Sequence, residues 1–126
     1  MQIEPVVLSK SSYNCIGMDG KEVYKFATRE VPRVISEALE VANLTSDDVS
    51  WLCLHQANTR ILDVVAKRLS IPNEKLLTNL AGVGNTSAAS IPLCLSDNID
   101  KIKKGDIVVM AGFGAGLSWG ASVVRW

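Results

Sequence analysis

The sequence lacks net charge and any long apolar run, and both absences exclude classes of partner. Of its 126 residues, 13 are Lys or Arg and 13 are Asp or Glu. Binding to nucleic acid needs a basic surplus on one face, so no nucleic-acid partner is expected. A membrane-spanning helix needs about 18 consecutive apolar residues, and residues 1–5 lack the pattern of a secretion signal. We therefore expect a soluble protein with no membrane partner.

Residues that form disulfides or bind metals are also few. The three cysteines, Cys15, Cys53 and Cys94, are odd in number and widely spaced, which favours reduced thiols. None has the helix N-terminal or cationic setting that lowers a thiol pKa, so we interpret all three as packing residues. His55 is the only histidine, and no cluster has metal-ligand spacing. We predict no metal site.

What the sequence does contain is enough apolar residues for a folded core. Hydrophobic residues make up 48% of the chain and charged residues 21%, a balance that excludes a mainly disordered protein. The length suits one domain, and the chain has no internal repeat, low-complexity segment or long linker. A single domain over residues 1–126 is the prediction.

Strand-like and helix-like segments alternate along the chain. Helical periodicity occurs in residues 22–42, 59–69 and 87–99. Apolar runs typical of strands occur in residues 3–8, 49–54, 76–80, 106–111 and 118–125. Residues 18–21 carry a turn signal, and residues 81–85 and 112–116 form glycine-rich loops. The order predicts an α/β domain with a mixed, mostly parallel sheet, helices on both faces and an antiparallel C-terminal hairpin.

Two local features of the predicted helices are specific enough to test. Pro32 lies inside the first helix and is expected to kink it or split it in two. Thr86 or Ser87 is a plausible cap at the start of the third helix.

Arg60 and Lys67 share a face of the second helix, with Arg68 adjacent. Such a cluster of basic residues is usually only a solvated surface. It would gain a role in binding if the partner of the protein were acidic.

Three loops follow predicted strands, at the edge where an open α/β sheet leaves its ligand crevice. In the first of these loops, His55 can donate or accept a proton. In the second, the Asn85 amide is a neutral donor for a developing oxyanion. A hydrogen-bonded loop role for His55 and a turn or cap role for Asn85 remain open. Residues 112–116 do not match the dinucleotide fingerprint, because a strand rather than a helix follows. They form either a tight strand link or an oxyanion hole of backbone N–H groups.

Taken together, three strings resemble the C-terminal half of β-ketoacyl-acyl carrier protein synthase III. They are His-Gln-Ala-Asn-x-Arg-Ile from His55, Gly-Asn-Thr-Ser-Ala-Ala-Ser-Ile-Pro from Gly84, and Gly-Phe-Gly-Ala-Gly-x-x-Trp-Gly from Gly112. The resemblance covers residues 18–126. It implies one half of a thiolase-like fold, with the nucleophilic cysteine in an N-terminal half that is absent here. The isolated chain is then expected to be inactive.

The resemblance also implies a reaction and a set of site residues. The family joins an acetyl-type acyl-coenzyme A to malonyl-acyl carrier protein by decarboxylative condensation, which initiates type II fatty-acid synthesis. By this resemblance, His55 and Asn85 hydrogen-bond the malonyl thioester carbonyl, and the backbone N–H of Ala115 helps to hold an oxyanion. Asn58 and Ala57 match the coenzyme A side of the site. The positions that match carrier-protein docking residues are Lys25, Arg60, Lys67 and Arg68.

The implied partners are acyl carrier protein, acyl-coenzyme A, the N-terminal half and a second copy in a homodimer. No cofactor is implied beyond the coenzyme A thioester substrate, and the implied location is the bacterial cytoplasm or a plastid. Two other interpretations stay open: another thiolase-like acyltransferase that keeps the same His and Asn, or a non-catalytic binding or assembly module. We also expect the isolated chain to expose an apolar surface beside the third helix, because that surface would face the absent half.

Overall fold

The computed structural model describes residues 5–7 and 14–126, with side chains from residue 17 onward. A short antiparallel pair comes first, formed by β1 (Pro5–Val7) and β2 (Asn14–Ile16). The strand predicted at residues 3–8 is confirmed for its central part, and its other residues lie outside the described ones. Cys15 lies in β2, and the prediction for its side chain also falls outside the described part.

Helix α1 (Gly20–Val41) is the longest element. Asp19 caps it, because its carboxylate accepts the N–H groups of Lys21 and Glu22 at 3.1 Å. The turn predicted at residues 18–21 is therefore wrong, since Asp19 caps the helix and Gly20 and Lys21 are its first residues. The apolar residues of one face recur every four positions and are buried: Ala27, Val31, Ile35 and Leu39.

Helix α1 runs through Pro32 as one element, so of the two predicted outcomes the split is wrong, and the kink stays a prediction. Pro32 has no N–H to donate to the carbonyl of Thr28, four residues earlier. Arg68, the last residue of α2 (Thr59–Arg68), supplies the missing donor: its Nη1 lies 2.7 Å from the Thr28 carbonyl oxygen. The Thr28 carbonyl, which Pro32 cannot bond, is therefore paired with a donor from the neighbouring helix.

A four-stranded sheet forms the centre of the domain. Its strands are β3 (Trp51–Leu54), β4 (Leu76–Leu77), β5 (Ile107–Gly114) and β6 (Ser118–Arg125). They lie in the order β4-β3-β5-β6, where β3 is parallel to both neighbours and β5 and β6 form an antiparallel hairpin. The predicted mostly parallel sheet with an antiparallel C-terminal hairpin is confirmed.

The segment between β4 and β5 departs most from the prediction. The strand predicted at residues 76–80 stops at Leu77, and α3 (Leu80–Val83) occupies part of the predicted glycine loop. The third predicted helix is a 3-10 turn, Ser87–Ala89, followed by α4 (Ser90–Asp97). Neither Thr86 nor Ser87 makes a side-chain cap bond. Ser87 instead has φ +53° and donates its N–H to the Asn85 side chain, so it belongs to a tight turn.

Helices cover both faces of the sheet, as predicted. One face carries α1 and α2, and its core includes Leu52, Leu54 and Val109 from the strands. The other face carries α4, with a smaller core around Cys53, Cys94 and Val108. Within residues 17–126, no helix is long and apolar enough to cross a membrane.

Candidate active site

His55 lies directly after β3, at the carboxyl end of the parallel strands. Its backbone N–H donates to the Ala111 carbonyl of β5 at 2.8 Å, which holds it against the neighbouring strand. The Phe113 ring of β5 meets the imidazole edge-on, with the ring centroids 5.2 Å apart. The imidazole is half-buried, and this burial lowers the pKa of His55 below its ordinary value. The burial thus favours the neutral form of the ring.

One nitrogen of the His55 ring is already bonded within the protein. Nδ1 lies 2.7 Å from the hydroxyl oxygen of Ser90, the first residue of α4. The same hydroxyl oxygen accepts the backbone N–H of Gln56 at 3.2 Å. Nε2 is thus the ring nitrogen left for a ligand.

Asn85 is held in a similar way. Gly84 precedes it with φ +69°, a left-handed conformation that favours glycine. The Asn85 Oδ1 accepts the N–H of Ser87 at 2.9 Å, which confirms the turn role. The oxygen end of the amide is engaged, so the NH₂ end is the part available to a ligand.

Both side chains line the same cavity, whose volume is about 680 Å³. Ala115, in the turn after β5, also lines it, and Trp119 of β6 forms part of its wall. The structure therefore brings together His55, Asn85 and Ala115, the three residues predicted to act on the reacting groups. A neutral imidazole, a carboxamide and a chain turn around one cleft can present neutral donors to an oxyanion.

The residues predicted to lie on the coenzyme A side are placed differently. Asn58 lines a second cavity of about 790 Å³ between the starts of α1 and α2, together with Tyr24 and Arg60. Its Oδ1 caps α2 by accepting the N–H of Ile61 at 3.0 Å. Ala57 is half-buried and packs against the larger core.

The four basic residues predicted to dock a carrier protein are all exposed. Lys25 pairs with Glu22 at 2.7 Å, and that hydrogen bond raises the pKa of Lys25. Arg68 is engaged with the Thr28 carbonyl, as described above. Arg60 and Lys67 make no ion pair with any residue in the described part of the chain. These two are the basic side chains of the set with the most freedom to meet a partner.

Two buried residues of the site were missed in the sequence. Ser90 contacts His55, and Gln56 is fully buried beside it. Gln56 donates to the Leu54 carbonyl at 2.8 Å and accepts the Thr78 hydroxyl at 3.0 Å, so it joins the ends of β3 and β4. A polar residue between a buried strand and a helix was the available signal, because such a residue must find partners when buried.

The prediction that the cysteines are packing residues is confirmed for the two whose side chains are described. Cys53 and Cys94 are both fully buried in the smaller core and form no disulfide. A hydrogen bond to Cys94, together with burial, raises the pKa of Cys53. Its thiolate is therefore disfavoured. In the same described part, no group of three or more metal-binding side chains could hold an ion.

Fold and cleft together define a thiolase-like α/β domain. The solved 3-oxoacyl-acyl-carrier-protein synthase III of Aquifex aeolicus superimposes with a TM-score of 0.87 at 43% identity. That similarity covers 90% of this chain and 37% of the Aquifex chain.

The protein family described as 3-oxoacyl-acyl-carrier-protein (ACP) synthase III C terminal matches residues 39–126, and the chain belongs to this family. The β-ketoacyl-acyl-carrier-protein synthase III of Acaryochloris marina is 54% identical over 121 residues, which are 94% of this chain and 36% of that protein. The chloroplastic synthase III B of Cuphea wrightii is 55% identical over 118 residues, 92% of this chain and 29% of that protein. The chain thus spans about a third of the relatives' length.

Proposed function

We propose that residues 1–126 form the single C-terminal domain of a β-ketoacyl-acyl carrier protein synthase III. With an N-terminal half it would condense an acetyl-type acyl-coenzyme A with malonyl-acyl carrier protein, the step that initiates type II fatty-acid synthesis. One observation carries the proposal: His55 and Asn85 line one cavity, each with its other polar atom already bonded within the protein. Family membership supports the same reaction.

The proposed chemistry uses these two side chains as hydrogen-bond donors. The bond between the malonyl α-carbon and its carboxylate breaks, carbon dioxide leaves, and the electron pair forms an enolate. Donors at the enolate oxygen stabilise this transition state more than the ground state. The enolate carbon then attacks the acyl thioester, and the backbone N–H of Ala115 holds the tetrahedral oxyanion until the cysteine thiolate leaves. No cofactor beyond the coenzyme A thioester substrate takes part.

The nucleophilic cysteine has to come from the N-terminal half. Cys53 and Cys94 are fully buried, and the raised pKa of Cys53 disfavours its thiolate. The chain alone would therefore be inactive in condensation. The relatives' greater length is consistent with this division, because the chain matches 36% of the Acaryochloris protein.

The second cavity and the basic residues beside it are the proposed path of the acyl carriers. The pantetheine arm would pass Asn58 and Ala57, and an acidic carrier protein would dock on Arg60 and Lys67. Arg60 lines the second cavity, so carrier docking and arm entry would be adjacent. Charge complementarity of this kind raises association rates and sets orientation. Lys25 and Arg68 would extend the same surface.

The N-terminal half would cover the α4 face, where Val83, Leu93 and Ile99 are exposed. In the assembled enzyme we propose a homodimer. A location in the bacterial cytoplasm or a plastid would follow, since the relatives include a protein of Acaryochloris marina and a chloroplastic protein of Cuphea wrightii.

The donor roles can be tested by assembling the chain with the N-terminal half of a relative. We expect His55→Ala or Asn85→Ala to slow malonyl decarboxylation on the order of 100-fold, since one lost oxyanion donor costs about 3 kcal/mol. Cysteine acylation should change less than about twofold, because its oxyanion uses backbone donors. Release of labelled carbon dioxide and single-turnover acylation measure the two steps.

The exposed Asn73→Ala serves as the matched control for Asn85→Ala and should alter neither step. Equal losses in decarboxylation and acylation would contradict the donor assignment. Condensation with a different acyl donor or acceptor would favour another thiolase-like acyltransferase. An assembly that binds acyl-coenzyme A but never turns over would favour a binding module.

The proposed docking of a carrier protein can be tested by reversing the charge of the basic residues. Arg60→Glu and Lys67→Glu should raise the KM for malonyl-acyl carrier protein about tenfold each at low salt, because an acidic carrier then meets like charge. The KM for malonyl-pantetheine, which carries no protein, should stay unchanged for Lys67→Glu. Lys104→Glu, exposed in the loop before β5, is the control. A matching rise for Lys104→Glu would show a general charge effect instead.

A further inference from the structure

Ser90 connects helix α4 to His55, the residue directly after β3, and both residues line the first cavity. It is the first residue of α4, it is 1% exposed as a residue, and its Oγ lies 2.7 Å from Nδ1 of His55. The same oxygen accepts the N–H of Gln56 at 3.2 Å. A buried hydroxyl with two partners in fixed directions has little freedom to rotate.

The direction of each hydrogen bond follows from counting donors and acceptors. A serine hydroxyl carries one hydrogen and two lone pairs, and the N–H of Gln56 already occupies one lone pair. Among residues 17–126, Nδ1 of His55 is the acceptor that the structure places within reach of the hydroxyl hydrogen. If Nδ1 carried the proton, the hydroxyl hydrogen would be buried without an acceptor, which is unfavourable.

We propose that Ser90 is a positioning residue that sets the tautomer and orientation of His55. The hydroxyl donates to Nδ1, so the neutral ring carries its proton on Nε2, the nitrogen left for a ligand in the cavity. Phe113 restrains the ring from a second direction by its edge-on contact at 5.2 Å. Helix α4 thereby determines which nitrogen of His55, the residue directly after β3, can donate.

The consequence of this tautomer for catalysis rests on the proposed function. A donor to a thioester oxygen needs a proton on Nε2, because the other neutral tautomer would present a lone pair to the oxygen. The assignment of the tautomer itself does not depend on any reaction. It can be measured on the full chain without substrate.

The single histidine of the chain makes the measurement unambiguous. In ¹⁵N-histidine-labelled full chain at pH 7.5, long-range proton–nitrogen spectra should show Nε2 protonated and Nδ1 as an acceptor. Ser90→Ala should increase the fraction of ring protonated at Nδ1 several-fold, and Ser90→Thr, which keeps the hydroxyl, should restore the wild-type pattern. Ser96→Ala, on the exposed side of α4, should leave the spectrum unchanged.

A wild-type spectrum with the proton on Nδ1 would overturn the proposal, even if Ser90→Ala fails to fold. An unchanged tautomer ratio in a folded Ser90→Ala chain would overturn it as well. In the assembled enzyme, Ser90→Ala should lower kcat for decarboxylation about tenfold with KM within about twofold, and Ser90→Thr should recover most of it. If the tautomer behaves as expected but neither wild type nor variant decarboxylates malonyl thioesters, the proposed function fails while the role of Ser90 stands.

Discussion

The two faces of the sheet differ in the size of the core that they bury. In the described part, the face under α1 and α2 has a core cluster of 17 buried residues, whereas the cluster under α4 has five. On the α4 side, Val83, Leu93 and Ile99 remain 46%, 39% and 45% exposed. The first face therefore has the larger core, although Val41 at the end of α1 is 85% exposed, and the second face has a smaller core with exposed apolar side chains around it.

The two faces therefore contribute differently to one small domain. One supplies most of the buried core, and the other supplies part of the candidate site. The large core holds β3 and β5 in place, and their carboxyl ends carry His55 and Phe113. The face with the smaller core contributes α4, whose first residue, Ser90, reaches back to the His55 ring. The site therefore combines a side chain held at the end of β3 with a side chain from the helix over the smaller core.

The largest expected effect tests the contrast between the faces directly. Leu62→Ala in α2 should lower the free energy of unfolding by about 2–5 kcal/mol, because Leu62 is 1% exposed and truncation leaves a cavity. Leu93→Ala removes the same atoms from the α4 face, and we expect a loss below about 1 kcal/mol. Urea denaturation of both variants measures the difference. Similar losses at the two positions would remove the distinction between the larger and the smaller core.

A smaller effect concerns the hydrogen bond that joins α2 to α1. Arg68→Ala should lower the free energy of unfolding by about 1–2 kcal/mol, because the Thr28 carbonyl loses a charged donor. Lys67→Ala, its exposed neighbour, should stay within about 0.5 kcal/mol of wild type.

Pro32→Ala provides the second arm of a double-mutant cycle, because it restores the N–H that can pair with Thr28. In that background Arg68→Ala should cost clearly less than in the wild type. A cost of the same size with and without Pro32 would mean that Arg68 stabilises the helix pair by another route.

The smallest effect is the pH dependence that His55 contributes. Its pKa is lowered in the folded chain by burial, so the unfolded chain binds the proton first as pH falls below about 6.5. The contribution of His55 to the free energy of unfolding is fully present above about pH 6.5. It declines as the pH falls toward the pKa of the folded chain and does not change further below that pKa. Unfolding free energies of wild type and His55→Gln between about pH 5 and 8 give the difference. A wild-type curve parallel to that of His55→Gln would show that the folded and unfolded pKa values coincide.

Much of the fold was predictable from local patterns. Apolar periodicity identified α1 and α2, and the run before His55 identified the buried strand β3. The segment from Leu80 to Asp97 was predicted poorly, because its turns depend on contacts between residues rather than on propensity. The left-handed Ser87, for example, follows from its bond to the Asn85 side chain.

Part of the candidate site could also be predicted. His55 and Asn85 stood out because each follows a strand or glycine turn at the edge where such sheets bind ligands. Ser90 and Gln56 did not stand out, since a serine at a helix start and a glutamine after a histidine have many ordinary roles. Their importance depends on burial and on distant partners: Gln56 bonds to the last residues of β3 and β4, and Ser90 of α4 bonds to His55.

Pro32 and Ser90 show most clearly what each level of information determined. By itself the sequence determined the alternation of strands and helices, since apolar periodicity is a local property. It also determined the chemical character of the strand-end loops. Only the tertiary structure decided that α1 continues through Pro32, because the donor to Thr28 comes from Arg68, 40 positions away from that carbonyl. Likewise, the partner of His55 Nδ1 lies 35 positions further along the chain, and a hydrogen bond between such distant residues exists only once the packing of helix on sheet has brought them together.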